Sequence, residues 1–317
     1  MCFSIIGTGS CLPERVVTND ELSELVETSD EWIKKRVGVA ERHVCTTETT
    51  VDLGTKAALD ALESAGVGAE ELDLILGATI SGDSASPTLA GMIQKNIGAA
   101  CPAYDISSAC AGFVFMLETA AGYFARGKVK KVLVVGAEQL SRLVDWTDRS
   151  TCVIFGDGAG AAVLSKGDSY IASRLHTEGG DDVIKVPNYI GKSPFLKREG
   201  EAPFIQMKGQ ETFKFAVRVM ADDVAAVVEE AGINKEDIDW IVPHQANIRI
   251  IDFAAKRMGI PANKFYTNIE HCGNTSSASV PIALDEMNKK GLLKRGDKVV
   301  LTAFGGGLSS AACLLNW

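Results

Sequence analysis

Three residues in separate turns of small side chains could together form a nucleophilic site. Cys110 lies in Asp-Ile-Ser-Ser-Ala-Cys-Ala-Gly-Phe, where a short apolar strand meets the start of a predicted helix. A helix N-terminus presents N–H groups and a positive dipole end, which would favour the thiolate and stabilise a developing oxyanion. A buried structural cysteine is the alternative. Because Ser108 and Gly112 are small and leave space for a substrate, we predict that Cys110 is a nucleophile.

Two further polar residues and a glycine run could assist this nucleophile. His244 ends Asp-Trp-Ile-Val-Pro-His, and a strand end suits a site residue in an α/β fold. Asn274 lies in His-Cys-Gly-Asn-Thr-Ser-Ser before a predicted helix, where an N-cap role is the alternative. With Cys110 they provide two side chains that can hydrogen-bond a carbonyl oxygen. Gly305–Gly307 directly follows a strand, so we expect a second oxyanion donor there.

Apolar segments that alternate with helical patterns must position these residues, and they indicate an α/β fold. Strands are predicted at 72–79, 130–138, 238–244 and 297–304. Helices are predicted at roughly 18–27, 50–65, 87–98, 110–126, 209–231, 246–258 and 276–290. In the first of these helices, Thr18 and Glu21 have the spacing of a capping box.

Internal similarity indicates that the chain is duplicated. Residues 63–75 resemble residues 229–241, and FGDGAGAAVL at 155–164 resembles FGGGLSSAACLL at 304–315, in the same order. The predicted halves are 1–170, which carries the nucleophile, and 171–317, which carries His244 and Asn274. Because the three candidate residues are divided between the halves, we expect the active site at the junction of the two halves. The polar sequence between Glu178 and Glu201 is predicted to be an irregular loop, either a lid or a linker.

Composition limits the possible functions. The 317 residues carry a formal net charge of −9, which opposes binding of nucleic acid through overall charge. The eight cysteines form no C-x-x-C pair, so a disulfide framework or zinc ribbon is not expected. The N-terminal sequence does not have the pattern of a signal peptide, and no apolar run is long enough to cross a bilayer. We expect a cytoplasmic protein without membrane insertion.

Nine motifs in order resemble the β-ketoacyl-acyl-carrier-protein synthase III family of the thiolase-like superfamily. They are GTGSCLP, TSDEWI, ERH, ACAGF, FGDGAGAAVL, PHQAN, GNTS, SVPIALDE and FGGG, and the resemblance covers nearly the whole chain. It implies a duplicated five-layer αβαβα fold that forms a homodimer. It also implies that an acyl-CoA primer acylates Cys110 while the amides of Cys110 and Gly306 hold the oxyanion.

The same resemblance implies roles for the other site residues. His244 and Asn274 would bind the thioester oxygen of malonyl-acyl-carrier protein as carbon dioxide leaves, and the carbanion would then attack the acyl-cysteine. The product is a β-ketoacyl-carrier protein two carbons longer, which initiates fatty acid synthesis. Loss of carbon dioxide drives the reaction, so no metal or redox cofactor is implied and acyl-CoA is a substrate.

Binding residues are implied by the matching motifs. Ordinary core packing is the alternative for Trp32, and solvated surface is the alternative for the basic residues. The implied CoA contacts are Thr28, Trp32, Arg36, Arg149 and Asn247. The implied docking site for the acidic carrier protein consists of Lys214, Arg249, Lys256 and Arg257.

Two positions depart from the family pattern. Relatives that prefer acetyl primers often have a phenylalanine where this chain has Ser86. We therefore expect a deeper acyl channel, gated at Ser86, that accepts longer or branched primers. Cys272 replaces a larger residue beside the GNTS motif, and the sequence assigns no consequence to it.

Several rival functions share parts of this pattern. A thiolase needs a second reactive cysteine near the C-terminal glycine turn, where this chain has only the later Cys313. A hydroxymethylglutaryl-CoA synthase is expected to pair its cysteine and histidine with an acid, whereas GNTS supplies Asn274. The remaining alternatives are a condensing enzyme of specialised metabolism with a longer or branched primer, a cysteine-dependent thioesterase, and a scaffold that has lost activity.

Overall fold

Two β-sheets organise the chain, which a computed structural model describes over residues 2–187, 194, 195, 197 and 200–317. The α-helices in these ranges are α1 (Asn19–Ser23), α2 (Asp30–Arg36), α3 (Thr50–Ala65), α4 (Leu89–Ile97), α5 (Gly112–Ala125), α6 (Arg149–Cys152), α7 (Gly209–Glu230), α8 (Ile248–Met258), α9 (Ile269–Cys272) and α10 (Ser279–Lys289). The β-strands are β1 (Cys2–Cys11), β2 (Val16–Thr18), β3 (Glu41–His43), β4 (Leu74–Ala78), β5 (Ala103–Asp105), β6 (Lys131–Glu138), β7 (Gly158–Gly167), β8 (Tyr170–Gly180), β9 (Ile184–Lys185), β10 (Gln206–Met207), β11 (Trp240–Pro243), β12 (Lys298–Gly305) and β13 (Gly307–Asn316).

The two main sheets share a four-strand topology, and β5 adds a further parallel strand to the first sheet. The first sheet has the order β1-β7-β6-β4-β5, and the second has the order β8-β13-β12-β11. In each sheet one parallel pair, β4 with β6 or β11 with β12, is followed by two antiparallel pairings. The repeated segments fall on equivalent elements, because each runs from a helix end through a 3-10 turn into the parallel strand. The fold is therefore duplicated, as the internal similarity predicts.

Helices separate and cover the two sheets. The helices α5 and α10 pack between the sheets, whereas α3 and α4 cover the first sheet and α7 and α8 cover the second. The apolar core between the sheets contains residues such as Phe113, Leu117 and Leu301 that are fully buried. These layers form the thiolase-like αβαβα arrangement that the resemblance implies. No helix in the described ranges is long and apolar enough to span a membrane.

Local sequence signals agree with most element bounds. The predicted helix at 50–65 is observed as α3, which begins after a capping box of Thr49 and Asp52. The capping box of Thr18 and Glu21 is also present, but its helix ends at Ser23 rather than near 27. The sequence analysis did not predict α2, because only Ile33 of this seven-residue helix is buried and its apolar period is too short to detect.

The segment predicted to be an irregular loop is partly regular. The strand β8 continues to Gly180, and β9 pairs with β10 beyond it. Residues 188–193, 196, 198 and 199 of this predicted loop lie outside the described residues. The described part contributes Ile184 and Lys185 to the cavity that the next subsection describes.

Candidate active site

A cavity of about 1090 Å³ lies where the two halves meet, and the three predicted catalytic residues all line it. The first half contributes Cys110 from the segment before α5, and the second half contributes His244 and Asn274 from the ends of β11 and α9. Apolar side chains such as Ile80 and Phe155 line the same space. The cavity therefore combines room for an acyl chain with a small group of polar side chains.

Cys110 occupies a strained turn before α5. It lies in a 3-10 segment, Ala109–Ala111, and Ala109 has a φ of +45°. The side chain is half-buried at the wall of the cavity. Burial raises the pKa of the Cys110 thiol to about 12, although its own backbone N–H opposes this rise. The backbone N–H group at the helix start favours the thiolate, as predicted, but desolvation outweighs this effect.

The glycine run approaches Cys110 closely. A Cβ at Gly305 would lie 2.7 Å from the Cys110 amide nitrogen, so this position has no space for a side chain. Gly306 and Gly307 continue along the wall of the cavity. The backbone at Gly305 therefore lies against that of Cys110, one residue before the predicted oxyanion donor Gly306.

His244 is a buried, neutral imidazole. Burial lowers the pKa of His244 to about 3, and the ring lies edge-on to Phe304 with centroids 5.4 Å apart. Its Nδ1 atom lies 2.6 Å from Ser279 Oγ at the start of α10. When the Ser279 hydroxyl donates to Nδ1, Nε2 carries the ring proton. His244 can then donate one hydrogen bond to a substrate oxygen.

Asn274 is held by three hydrogen bonds in which its own backbone and side chain take part. Its amide nitrogen donates to Ile154 O at 2.9 Å, and its carbonyl accepts from the Gly156 amide at 3.0 Å. Its Oδ1 accepts from the Ser276 amide at 2.8 Å. Because Oδ1 is engaged, the side-chain NH₂ group is the part available as a donor. Asn274 thus offers a second donor to the same cavity.

Sequence reasoning missed the residues that orient this pair. The Ser279 hydroxyl bonds to His244, and the Ser276 amide donates to Asn274. Ser276 is the last residue of GNTS, and Ser279 lies three residues after it. Their only sequence signal was a run of small polar residues, which a turn or an N-cap explains equally well. The role of Ser279 depends on a contact between segments more than thirty residues apart. The role of Ser276 depends on the conformation of a local turn.

The residues predicted to contact CoA form one group beside the cavity. The guanidinium groups of Arg149 and Arg36 lie 4.9 Å and 5.9 Å from the centroid of the Trp32 ring. Asn247 lines the cavity, caps α8 through the Arg249 amide, and donates to the Arg36 carbonyl. Thr28 Oγ1 is buried without a hydrogen-bond partner in the described part of the chain. Arg149 also donates to the carbonyl of Glu27, the residue before Thr28, so these five predicted residues lie in one region.

The basic residues predicted for docking lie on the surface near Phe213, which lines the cavity. Arg249 lies over the Phe213 ring at 5.8 Å, and Lys256 lies over the Phe253 ring at 5.6 Å. The two rings pack edge to face at 5.4 Å and join α7 to α8. Arg257 pairs with Asp222 at 3.6 Å, and Lys214 is exposed beside Phe213.

The predicted acyl gate lies beside the cavity rather than in its lining. Gly82–Ala85 line the cavity, whereas Ser86 is exposed just beyond them. Asp83 also lines the cavity, but its carboxylate accepts from the Thr50 and Val51 amides at the start of α3. Cys272 is buried, and burial raises the pKa of its thiol to about 12. Cys272 is therefore not a reactive thiolate.

Two family models match the chain. The model described as "3-Oxoacyl-[acyl-carrier-protein (ACP)] synthase III" matches residues 104–179, which include Cys110. The model for the C terminal part of the same enzyme matches residues 228–317, which include His244 and Asn274. A β-ketoacyl-[acyl-carrier-protein] synthase III of Clostridium acetobutylicum is 51% identical over 99% of this chain and 98% of its own length. The chain belongs to the β-ketoacyl-acyl-carrier-protein synthase III family.

Solved structures place the same family on this fold. The 3-oxoacyl-[acyl-carrier-protein] synthase III of Aquifex aeolicus VF5 superimposes with a TM-score of 0.94 at 44% identity, covering 99% of this chain and all of that one. The priming β-ketosynthase of the R1128 polyketide biosynthetic pathway has a TM-score of 0.92 at 34% identity, covering 99% and 96%. Proteins with these two names thus share the architecture of this chain.

Proposed function

We propose that this chain is an acyltransferase that condenses an acyl-CoA primer with malonyl-acyl-carrier protein and so initiates fatty acid synthesis. The observation that carries the proposal is the meeting of Cys110, His244 and Asn274 in one cavity of a chain that is 51% identical to a named family member. The neutral imidazole and the side-chain amide supply two hydrogen-bond donors, which is what an enolate oxygen requires.

In the first half-reaction, Cys110 sulfur attacks the thioester carbonyl of the primer and CoA leaves as a thiolate. The amides of Cys110 and Gly306 stabilise the tetrahedral oxyanion, since Gly305 lets the two backbones approach. The group at Trp32, Arg36 and Arg149 would hold the nucleotide end of CoA. Thr28 lies beside this group, and Asn247 lies between it and the cavity.

In the second half-reaction, malonyl-carrier protein occupies the same cavity. His244 Nε2–H and the Asn274 amide donate to its thioester oxygen, which stabilises the enolate as carbon dioxide leaves. The carbanion attacks the acyl-cysteine, the carbon–sulfur bond to Cys110 breaks, and a β-ketoacyl-carrier protein departs. We propose no metal or redox cofactor, because loss of carbon dioxide supplies the driving force.

The basic surface of Lys214, Arg249, Lys256 and Arg257 supports docking of an acidic carrier protein at the mouth of the cavity. A homodimer and a cytoplasmic location belong to the same proposal and rest on the resemblance to the family. The division into halves 1–170 and 171–317 is also proposed, and the end of β7 at Gly167 and the start of β8 at Tyr170 support it.

The second candidate is a condensing enzyme that starts a pathway of specialised metabolism, because the matched R1128 enzyme is a priming ketosynthase of a polyketide pathway. Product analysis by mass spectrometry tests both candidates and the thioesterase alternative. Purified protein is incubated with one acyl-CoA and malonyl-carrier protein, and we expect a β-ketoacyl-carrier protein two carbons longer than the primer. Free acid without chain extension would contradict condensation and indicate hydrolysis. The preferred primer then distinguishes the two metabolic roles.

A further inference from the structure

The loop after β4 forms part of the cavity wall beyond the point where the sheet holds it. The parallel pairing of β4 with β6 ends at Ala78 and Gly136. Beyond this point, Ile80 and Gly82–Ala85 line the cavity, and the segment after β6 contributes Leu140 to the same cavity. The ladder between β4 and β6 therefore does not set the distance between these two parts of the wall. Side-chain contacts must do so.

Glu138 joins the first three residues of the loop to the end of β6. This buried carboxylate accepts from the Thr79 hydroxyl at 3.1 Å and from the Ile80 amide at 3.0 Å. It also accepts from the Ser81 hydroxyl, to whose oxygen the Gln139 amide donates at 2.8 Å. The start of the loop thus has a fixed position relative to β6.

Arg142, which follows β6, holds the next part of the loop. Its guanidinium group donates to the Ser81 carbonyl at 2.7 Å and to the Gly82 carbonyl. The same group lies 3.6 Å from the Asp83 carboxylate. One planar guanidinium thus contacts three successive residues, which the single ammonium of a lysine cannot reproduce. Arg142 itself is not part of the cavity lining, so any effect it has on a bound acyl chain passes through the loop.

The N-terminus of α3 holds the same residues from another direction. Thr50 Oγ1 donates to the Ser81 carbonyl at 2.8 Å. The amides of Thr50 and Val51 donate to the Asp83 carboxylate at 3.1 Å and 2.9 Å. Asp83 is therefore held by a helix N-terminus and an arginine together. The segment from Ser81 to Asp83 is fixed between α3 and the residues after β6.

We propose that Arg142 is a positioning residue for primer selection, because it fixes the wall that this loop gives to the acyl channel. The proposal rests on the function proposed above, in which the acyl chain of the primer occupies the cavity at Cys110. Ile80 and Leu140 supply apolar surface from the two connected segments. A channel discriminates between acyl chains by size only when its walls resist displacement. Without the Arg142 contacts the loop can yield, and the channel admits primers that the native wall excludes.

Competition between acyl-CoAs of different length, read by intact-protein mass spectrometry of Cys110 acylation, tests the proposal. The measured quantity is the ratio of kcat/KM for the preferred primer to kcat/KM for a primer two carbons longer. For Arg142→Met, which keeps an apolar stem but removes every donor, we expect this ratio to fall about tenfold, the low end of the discrimination that one methylene group gives in an apolar pocket. The rate with the longer primer should rise or stay unchanged. Arg142→Lys should give an intermediate ratio, because an ammonium can keep part of the contacts.

Arg174→Met is the matched control. Arg174 pairs with the buried carboxylate of Asp223 at 2.9 Å, outside the cavity lining. Its loss should lower stability, because a buried carboxylate is left without its partner, but should leave the primer ratio unchanged. This control separates primer selection from a general loss of folded protein, which lowers the rates with both primers in proportion.

An Arg142→Met ratio equal to that of the wild type would overturn the proposal, as would a proportional fall of both rates. If Arg142→Met does not fold, Thr50→Val, which removes another donor to the Ser81 carbonyl, must lower the ratio in the same direction. An unchanged ratio in that variant would also overturn the proposal. Absence of any wild-type adduct would instead contradict the proposed function itself.

Discussion

Hydrogen bonds to single side chains decide which protons the cavity presents to a substrate. Ser279 fixes His244 through Nδ1, and the Ser276 amide fixes Asn274 through Oδ1. Each contact leaves an N–H group of the site residue directed to the cavity rather than an acceptor. The arrangement therefore suits a substrate oxygen that gains negative charge, which is the requirement of a decarboxylation that forms an enolate.

Removal of the Ser279 hydroxyl should slow the second half-reaction specifically. In Ser279→Ala the His244 ring can adopt either tautomer, so the productive one is less populated. We expect condensation to slow by about tenfold to a hundredfold, while acyl-Cys110 forms at the wild-type rate. Single-turnover kinetics of the two half-reactions measures this. Ser173→Ala removes a similar hydroxyl outside the cavity lining and should change neither rate; an equal loss in both half-reactions of Ser279→Ala would contradict the account.

The sequence identified Cys110, His244 and Asn274 because each lies in a distinctive turn of small residues at a strand or helix end. It did not identify Glu138, although this residue ends a predicted strand, because a carboxyl group after an apolar run is usually solvated. Only packing of the two halves shows that Glu138 is fully buried and accepts a hydrogen bond from Ser277 of the second half. The same packing explains why the Cys110 pKa is raised despite the helix start, since desolvation depends on neighbours that a local sequence does not contain.

At the scale of elements, α7 and α8 carry the surface proposed for docking. The edge-to-face pair of Phe213 and Phe253 sets the spacing of the two helices, and Arg249 and Lys256 lie over these rings. Seven residues separate the two cations, so they share one face of α8. Their positions on rigid rings favour a defined basic patch beside the cavity.

Charge reversal on α8 should weaken carrier-protein binding but not primer binding. For Lys256→Glu we expect the KM for malonyl-carrier protein to rise about tenfold at low salt, with a smaller effect at high salt. The KM for acyl-CoA should stay near the wild-type value. Steady-state kinetics at two ionic strengths measures both values. Lys95→Glu, an equal charge change on the exposed side of α4, should have no such effect; a similar rise in that variant would contradict specific docking.

The loop after β4 is expected to control primer length. Gly82–Ala85 line the cavity, and Ser86 follows them with a small side chain. Because Ser86 lies outside the lining, the larger residue is placed at Ala85, and Ala85→Phe should reduce kcat/KM for longer or branched primers more than for acetyl-CoA. Competition between acyl-CoAs of different length, read by mass spectrometry of the acylated enzyme, measures the change. A wild-type preference for acetyl over every longer primer would contradict the deeper channel.

The presence of most long helices and strands could be predicted from the apolar patterns, whereas the contacts between them could not. The helix α3 was predicted to its observed ends because its capping box and apolar period agree. The position of Ser86 outside the cavity lining could not be predicted, because it depends on how the loop after β4 folds back on the first sheet. Motif matching locates such a residue in the chain but not in space.

At the scale of the whole molecule, the duplicated halves approach each other closely at the site. A Cβ at Gly156 in the first half would lie 2.2 Å from the Cys272 carbonyl oxygen in the second. The Gly156 amide also donates to the Asn274 carbonyl at 3.0 Å. The position of Asn274 therefore depends on the fit between the halves.

Addition of one methyl group at this junction should reduce both stability and activity. For Gly156→Ala we expect a loss of about 1–3 kcal/mol in the free energy of unfolding, because the backbone on either side must move. Condensation should slow as Asn274 shifts. Urea denaturation and product analysis measure the two effects. Gly122→Ala, at an exposed site of α5 with no atom within 4 Å of the new Cβ, should stabilise by up to about 1 kcal/mol.

The most direct test of the central claim is the intact mass of the protein after incubation with straight and branched acyl-CoAs, compared with Cys110→Ala. We predict a mass increase of one acyl group in the native chain and none in the variant. The primer that reacts fastest would also indicate the depth of the acyl channel. An adduct of equal yield in Cys110→Ala, or no adduct from any acyl-CoA with a folded native protein, would contradict the assignment of Cys110 as the acylated nucleophile.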